Sequence, residues 1–499
     1  MDRLLSLPPL TMLIVLPLAG AAALLFFPDS AKRAMRWFTL GLTLAGLAQA
    51  VRLFLAFSSD AGLQFAESVS WIPRFNINYA LGADGISILM VMLTNILMPV
   101  VILSSFKFID KHVKAYHIAF LILQAGVLGA FLALDFFLFY VFWELMLIPM
   151  YLLIGVWGGA NRIYAAVKFF IFTAAGSFMM FLAILYVTAS RYAMTGSLDF
   201  NVFNYYPSGL PAAAQMLPFL AFTLAFAIKV PMVPVHTWLP DAHTEAPAGG
   251  SIILAGVLLK LGAYGMLRFS IPMFPAAARQ CLPWLLGLSV AGILYGAWIC
   301  FAQKDLKKLI AYSSVSHMGF VTLGLFALTP MAVSGAILQM VNHGLSTGAL
   351  FLLVGILYER RHSRLMSDFG GLAKSVPVFS ALFLVVTLSS IGLPGLNGFW
   401  GEFMILMGTF PAHPWTAAAA ASGVIFAAVY LLTAVRRVFY GTITLEENRT
   451  LKDMDARELV CVIALLIFIV WIGVHPQTFL GKILPSVEHY VAMVRGLMA

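Results

Sequence analysis

Two apolar segments, each carrying one lysine, meet in residues 228–265, which read IKVPMVPVHTWLPDAHTEAPAGGSIILAGVLLKLGAYG. The first segment is interrupted just after Lys229 by Pro231 and Pro234, and the second has Lys260 near its middle. Broken backbone at membrane depth is stable only where it is buried in protein or lines a wet cavity. The stretch therefore predicts a buried polar site inside a membrane protein.

The composition of the whole chain agrees with this interpretation. Of its 499 residues, 62% are hydrophobic and 10% are charged, and the mean hydropathy is +0.95. Soluble domains have about 45–50% apolar and about 25% charged residues. The apolar runs are long enough for helices that cross a hydrocarbon core of about 30 Å, whereas the strands of a membrane barrel would be shorter and alternating. We therefore predict an all-α integral membrane protein.

The apolar runs predict about fourteen transmembrane spans. The first, residues 10–27, resembles a signal peptide, but Asp2 offsets Arg3 and no cleavage site follows, so we interpret it as a span. The predicted spans are 10–27, 37–57, 84–106, 117–134, 136–157, 165–190, 214–236, 249–270, 283–302, 309–327, 331–357, 376–409, 416–436 and 459–475.

The basic residues are unevenly divided between the two sides of these spans. The loops on the side that follows span 1, here called the inner side, contain 19 of the 30 lysines and arginines, and the other side contains 8. By the positive-inside rule the inner side is cytoplasmic and both termini are periplasmic. The net charge of +9 thus reflects a multi-pass topology rather than a nucleic-acid surface.

Spans 7 and 12 are predicted to be broken helices. In span 7 each proline clashes with the carbonyl four residues earlier, so Ala227 and Val230 are expected to keep free carbonyls. Span 12 is interrupted by Gly392, Pro394 and three further glycines. Two breaks five spans apart indicate an inverted repeat of spans 4–8 and 9–13, as opposed to two unrelated kinks. The expected units are 1–116, 117–270, 271–440 and 441–499.

Four ionisable residues lie deep in apolar runs: Glu144, Lys229, Lys260 and Glu402. At the bilayer centre each would cost about 2.5–3.5 kcal/mol, so each needs a partner or a function. Burial disfavours the charged form of such a group, whereas an opposite charge nearby favours it. A glutamate–lysine pair whose separation changes is therefore a proton switch. The alternative is a set of static ion pairs that fix helix register.

Histidines mark a path between these charges, because imidazole exchanges protons near neutrality, with a reference pKa of ~6.5. Each could equally be a packing residue, and a haem held by His317 and His343 is a further alternative. Lys168 either snorkels to the inner surface or supports Glu144. The three cysteines have no metal-site spacing. The supporting candidates are His236, His243, His317, His343 and Lys168.

Four stretches resemble the antiporter-like subunits of respiratory complex I, a family shared with multisubunit sodium/proton antiporters and membrane-bound hydrogenases. They are residues 228–265 above, LDFFLFYVFWELMLIPMYLLIGVWGG (134–159), AYSSVSHMGF (311–320) and LPGLNGFWGEF (393–403). The resemblance implies fourteen core helices with inverted repeats around a hydrated polar axis. It implies that Glu144 pairs with Lys229, that Lys260 is the central relay and that Glu402 is the terminal site. Glutamate at 402 and the stretch LGADGISILM (81–90) resemble the M-type members.

The resemblance also implies a function. We expect a proton-translocating subunit of NADH:quinone oxidoreductase with no redox centre in this chain. FMN, iron–sulfur clusters and quinone are expected in partner subunits, and L-type and N-type subunits are expected as neighbours in a hetero-oligomer in the lipid bilayer, without nucleic acid. The alternatives are a subunit of a multisubunit Na⁺/H⁺ antiporter or membrane-bound hydrogenase, and a membrane scaffold that transports nothing.

Overall fold

The computed structural model describes residues 8–206 and 210–498, so both chain termini, including Arg3 and Ala499, lie outside the described residues. Every predicted span coincides with a helix or a broken helix. In the first half these are α1 Pro9–Leu25, α2 Lys32–Ala56, α3 Ile88–Ser104, α4 Val113–Leu132, α5 Phe136–Leu145, α6 Leu147–Trp157, α7 Arg162–Thr195, α8 Ala212–Lys229 and α9 Trp238–Glu245. Span 5 consists of α5 and α6, and span 7 of α8 and α9.

Span 8 is the continuous helix Ala248–Met273, in which π-helical turns at Leu254–Leu258 and Met266–Ser270 separate α10 Ala248–Ile253, α11 Leu259–Gly265 and α12 Ile271–Met273. Spans 9 to 14 follow, with span 12 again in two pieces. They are α13 Pro275–Ala302, α14 Leu306–Phe326, α15 Pro330–Arg361, α16 Pro377–Ser390, α17 Asn397–Thr409, α18 Pro414–Phe439 and α19 Ala456–Val474.

The predicted helical membrane architecture is confirmed, with two additions. Among the described residues, eleven helices are long and apolar enough to cross a membrane, and α1, α3 and α16 are shorter apolar helices. A β-hairpin joins β1 Gln64–Ile72 to β2 Ile77–Ala83 in antiparallel register. A further helix, α20 Gln477–Met498, follows span 14. Neither element was predicted, because the strands lie in a loop and the last helix is amphipathic rather than apolar throughout.

The break in span 7 occurs where the prolines predict it. Helix α8 ends at Lys229 and helix α9 begins at Trp238. The expectation that Ala227 keeps a free carbonyl is wrong, because the backbone N–H of Met232 donates to it over 2.7 Å. This bond reaches five residues along the chain and passes over Pro231, which has no N–H to offer.

The break in span 12 is made by glycines. Helix α16 ends at Ser390 and helix α17 begins at Asn397. Between them Gly392 and Gly395 have φ angles of 79° and 91°. Side chains are strained in this left-handed region, whereas glycine enters it freely. The chain can therefore turn within six residues and resume a helix, in which Glu402 is buried.

Two matching helix starts, five spans apart, support the inverted repeat. Asp135 caps span 5 by accepting hydrogen bonds from the backbone N–H groups two and three residues later, at 2.8 and 3.1 Å. Asp305 caps span 10 with the same pattern and the same distances. Each aspartate also forms an isolated β-bridge, Asp135 with Asn201 and Asp305 with Leu365. In the predicted topology Asp135 lies at the outer side of the membrane and Asp305 at the inner side. An inverted repeat requires this difference.

Candidate proton-transfer site

Glu144 and Lys229 lie near each other but do not form the predicted ion pair. Glu144 is half-buried beside the junction of α5 and α6, and it accepts a hydrogen bond from the hydroxyl of Ser177. Lys229 is 1% exposed, and its Nζ lies 5.2 Å from the ring centroid of Trp143 and 5.7 Å from that of Phe169. Among the described residues no carboxylate lies within 4.0 Å of this Nζ. The structure therefore has the two charges apart, with Lys229 over the aromatic neighbour of Glu144.

Lys260 is fully buried at the centre of span 8. Its Nζ donates to the carbonyl of Ala255 and lies 2.7 Å from Nδ1 of His343. The π-helical turn Leu254–Leu258 widens the helix by one residue per turn at this point. The lysine thus has one partner on its own helix and one on span 11.

A second set of contacts continues from His343 to Glu402. The rings of His343 and His317 are 5.9 Å apart between centroids, and Nδ1 of His317 lies 2.7 Å from Oε1 of Glu402. Gln339 donates to the same carboxylate oxygen over 3.0 Å. Each histidine therefore has one ring nitrogen bound to a charged neighbour. The side chains Lys260, His343, His317 and Glu402 form one buried line that runs from span 8, at the end of the first repeat, into the second repeat.

The one gap in this line contains a small polar cavity. It has a volume of about 10 Å³ and is lined in part by His317, His343, Asn342 and Ser346. Nε2 of both histidines and Oδ1 of Asn342 have no hydrogen-bond partner among the described residues. A polar space of this size can hold one water molecule, which would complete the hydrogen-bonded connection. The space has no room for a porphyrin between the two histidines.

The remaining predicted residues lie around this line. His236 packs edge-on against Tyr295, with ring centroids 5.1 Å apart, and His243 is fully buried and stacks on Phe351 at 4.6 Å. Lys168 forms an ion pair of 2.7 Å with Asp241 rather than with Glu144. This ion pair thus joins α7 to α9, the second helix of broken span 7.

The aromatic residues that flank Glu402 in sequence do not surround its carboxylate. Phe399 and Phe403 stack on each other at 5.1 Å, and Trp400 donates to the carbonyl of Gly473 over 2.8 Å. The carboxylate instead meets His317 and Gln339. Neighbours in a helix point in different directions, because each residue turns about 100°.

Sequence reasoning missed several polar residues of the site. Gln339, Asn342 and Ser177 are uncharged and look like ordinary packing residues in an apolar helix. Lys307 was counted among the loop charges, although it is 6% exposed and donates to the carbonyl of Ala246 over 2.5 Å. The capping residue Asp305 signals that Lys307 lies in the first turn of α14 rather than in the loop, but not that it is buried.

Two family descriptions match the chain. Residues 133–428 match the family described as NADH:quinone oxidoreductase/Mrp antiporter, TM, and residues 34–134 match NADH-ubiquinone oxidoreductase chain 4, amino terminus. NADH-quinone oxidoreductase subunit M of Rhodobacter capsulatus is 45% identical over 97% of this chain and 96% of the relative. The chain belongs to the subunit M family of NADH-quinone oxidoreductase. NADH-ubiquinone oxidoreductase chain 4 of Marchantia polymorpha is 43% identical over 96% of each chain.

Solved structures of membrane complexes contain chains with the same fold. A chain of respiratory complex I from Thermus thermophilus has a TM-score of 0.88 and 34% identity, over 97% of this chain and 99% of its own. A chain of the Mrp complex from Dietzia has a TM-score of 0.85 at 22% identity, over 99% of this chain and 100% of its own. The second likeness extends to the fold alone.

Proposed function

We propose that this chain is a proton-translocating membrane subunit of NADH:quinone oxidoreductase. The observation that carries the proposal is the buried line Lys260–His343–His317–Glu402, with spacings of 2.7 Å at each end. Every member of the line can bind and release a proton, and the line lies inside a chain of the subunit M family. His317 and His343 each have a buried Nε2 without a hydrogen-bond partner among the described residues. Such atoms lower the stability of a protein, so a purely structural scaffold would have no reason to keep them.

The switch that drives the line is the pair Glu144 and Lys229. When the carboxylate approaches, it holds the Lys229 ammonium in its charged form. When the carboxylate withdraws to Ser177, as in this structure, Lys229 faces only aromatic rings and its proton can leave toward Lys260. From there the proton passes along the two histidines to Glu402 and then to the outer side. Each charge moved against 100 mV costs about 2.3 kcal/mol, which quinone reduction elsewhere in the complex supplies.

The redox chemistry belongs to other subunits in this proposal. FMN, iron–sulfur clusters and quinone bind there, and L-type and N-type subunits are the neighbours of this chain in a bacterial cytoplasmic membrane. Within residues 8–206 and 210–498 no group of three His, Cys, Asp or Glu side chains is arranged to hold a metal ion. The task of this chain is to bind, hold and pass protons.

Purification of the native assembly tests this function. We expect the chain to co-purify with flavin and iron–sulfur absorbance and with NADH:quinone reductase activity. Vesicles that contain the assembly should acidify on NADH addition in sodium-free buffer. Sodium-dependent proton exchange without flavin would instead identify a multisubunit antiporter, and an assembly that oxidises NADH but moves no protons after reconstitution would refute the transport role.

A second prediction concerns topology and follows from the 19-to-8 division of basic residues. A reporter fused at Ala499, outside the described residues, should lie in the periplasm, because α20 runs along the predicted outer side. There Lys482 donates to the carbonyl of Phe57, and Arg495 donates to that of Leu328 over 3.0 Å. A reporter inserted in the 438–456 loop should be cytoplasmic. The opposite result at either site would contradict the orientation.

A further inference from the structure

A buried ion pair lies at the predicted outer end of span 8, apart from the line that leads from Lys260 to Glu402. Nη2 of Arg268 lies 2.6 Å from Oδ2 of Asp84, and both residues are 7% exposed. Arg268 belongs to the π-helical turn Met266–Ser270, and Asp84 to the turn that leads into α3. A buried ion pair is often no more stable than an apolar pair of similar size, so these charges indicate a role beyond packing.

One tyrosine separates this ion pair from Lys260. Lys260, Tyr264 and Arg268 follow one another at intervals of four residues, a spacing that places side chains on one face of a helix. Nε of Arg268 donates to the Tyr264 hydroxyl over 3.2 Å, and this hydroxyl donates to the carbonyl of Phe131 over 2.9 Å. The polar face of span 8 therefore continues outward from Lys260 and ends at Arg268.

An arginine in this position opposes the passage of a proton in two ways. Its guanidinium has no acceptor and is not deprotonated in proteins, so it cannot take a proton and hand it on. Its fixed positive charge also repels an approaching proton, as arginines do in pores that exclude protons and cations. A hydrogen-bonded route along this face of span 8 is thus interrupted at Arg268.

The positive charge of Arg268 is only partly neutralised by Asp84. The other oxygen of this carboxylate, Oδ1, accepts hydrogen bonds from the backbone N–H groups of Ile86 and Ser87, each over 3.0 Å. These N–H groups lie at the start of α3, where the helix dipole is positive. Because one carboxylate balances both a helix start and a guanidinium, positive charge remains on the side of Arg268 that contacts Tyr264.

Backbone contacts hold the ion pair in place. The backbone N–H of Gly85 donates to the hydroxyl of Ser486 in α20 over 3.1 Å, and a Cβ at position 85 would collide with the backbone carbonyl of Lys482. The hydroxyl of Tyr206 donates to the backbone carbonyl of Arg268 over 2.7 Å. Helix α20 therefore packs directly against the turn that carries Asp84, and the guanidinium is fixed between the outer side and Lys260.

We propose that Arg268 is an electrostatic seal that separates Lys260 from the outer side of the membrane. A proton that reaches Lys260 then leaves through His343, and protons on the outer side do not return along span 8 under the proton-motive force. This inference rests on the proposed function and adds the residue that keeps transport coupled. No bond to hydrogen breaks or forms at Arg268, because the residue acts through its charge.

Passive proton permeability of the purified assembly in liposomes measures the seal directly. A potassium diffusion potential drives protons without NADH, and an enclosed pH dye records their passage. We expect Arg268→Gln to raise this permeability by about tenfold, the low end of the effect of a local field on the access of ions. The same variant should oxidise NADH but acidify vesicles less per NADH.

Two single variants are the controls for the loss of charge. Arg268→Lys keeps a positive charge at the outer end of span 8 and should remain close to the parent in permeability. Arg191→Gln removes another outer arginine, which is paired with Asp199 at 3.4 Å and lies in α7 rather than in span 8. It should not leak. A leak of equal size in Arg191→Gln would refute a specific seal at 268.

Double variants separate the seal from a structural role and from a proton outlet. Asp84→Asn/Arg268→Gln leaves neither charge of the pair buried alone, so this assembly should form and should still leak. If it is as tight as the parent, the seal is refuted, whether or not pumping is lost. Addition of Lys260→Ala to Arg268→Gln should abolish the leak, because the leak passes through Lys260, and a leak that persists would also refute the seal.

Failure of the seal is distinguishable from failure of the proposed function. If Lys260→Ala abolishes pumping but Arg268→Gln remains tight, the seal alone is wrong. If the assembly with Lys260→Ala pumps like the parent, the proposed function is wrong.

Discussion

Replacement of Lys229 by alanine is expected to leave the assembly intact and to lower coupled proton pumping and quinone reduction by about 10²-fold, the low end of the range for proton transfer by a positioned side chain. In the structure this ammonium has aromatic rings rather than a carboxylate beside it. Alanine removes the ammonium on which the Glu144 carboxylate acts. No side chain then remains at 229 to donate a proton toward Lys260. Assembly is checked by subunit composition, and pumping by acidification of membrane vesicles per NADH oxidised.

Variants of Glu144, the other member of the pair, should show a graded loss of pumping. Glu144→Ala should resemble Lys229→Ala, whereas Glu144→Asp should retain an intermediate rate, since the charge survives with a shorter reach. Lys304→Ala, an exposed inner-loop lysine, is the control for loss of a positive charge. Alanine variants at 144 and 229 that assemble and pump like the parent would make the pair a packing element and refute the switch.

Patterns along the chain predicted the parts of this fold that depend on local chemistry. Apolar length predicted the spans, and proline and glycine predicted the breaks after Lys229 and Ser390, because both residue types act on the backbone where they stand. The lysine at 260 could be assigned to a functional site because a charge in the middle of a span is costly and is rarely kept without a function. The hairpin of residues 64–83 was missed, since its strands lie largely in the connection between spans 2 and 3, and the apolar-length criterion identifies only the spans.

The parts that depend on tertiary packing could not be predicted. The sequence cannot tell that Glu144 turns to Ser177, that Lys168 bonds to Asp241, or that the aromatics beside Glu402 turn away from its carboxylate. Lys307 illustrates the same limit, because a lysine two residues inside a helix start looks like any inner-loop charge. Only the packing of the 246 and 364 segments over it makes it a buried group.

The Glu402 carboxylate is expected to be the last buried proton site, and Glu402→Gln should lower pumping by about 10²-fold with the assembly intact. Glutamine keeps the shape and can still bond to His317 and Gln339, which lie 2.7 and 3.0 Å from Oε1. It cannot take a proton from the histidine. The loss should therefore appear in proton transfer rather than in assembly, and vesicle acidification with subunit analysis would measure both.

Two comparisons decide whether titration of this carboxylate is what matters. Infrared difference spectra on redox cycling should contain a protonated-carboxylic-acid band that disappears in Glu402→Gln, and Gln339→Leu should shift this band without removing it, because Gln339 bonds to the same oxygen. Glu402→Lys restores a titratable group and should pump better than Glu402→Gln. The Glu402→Lys variant should still pump less well than the parent, because His317 would then face an ammonium rather than a carboxylate. Full pumping by Glu402→Gln would end the buried line at His317 and leave Glu402 as a packing partner of that histidine.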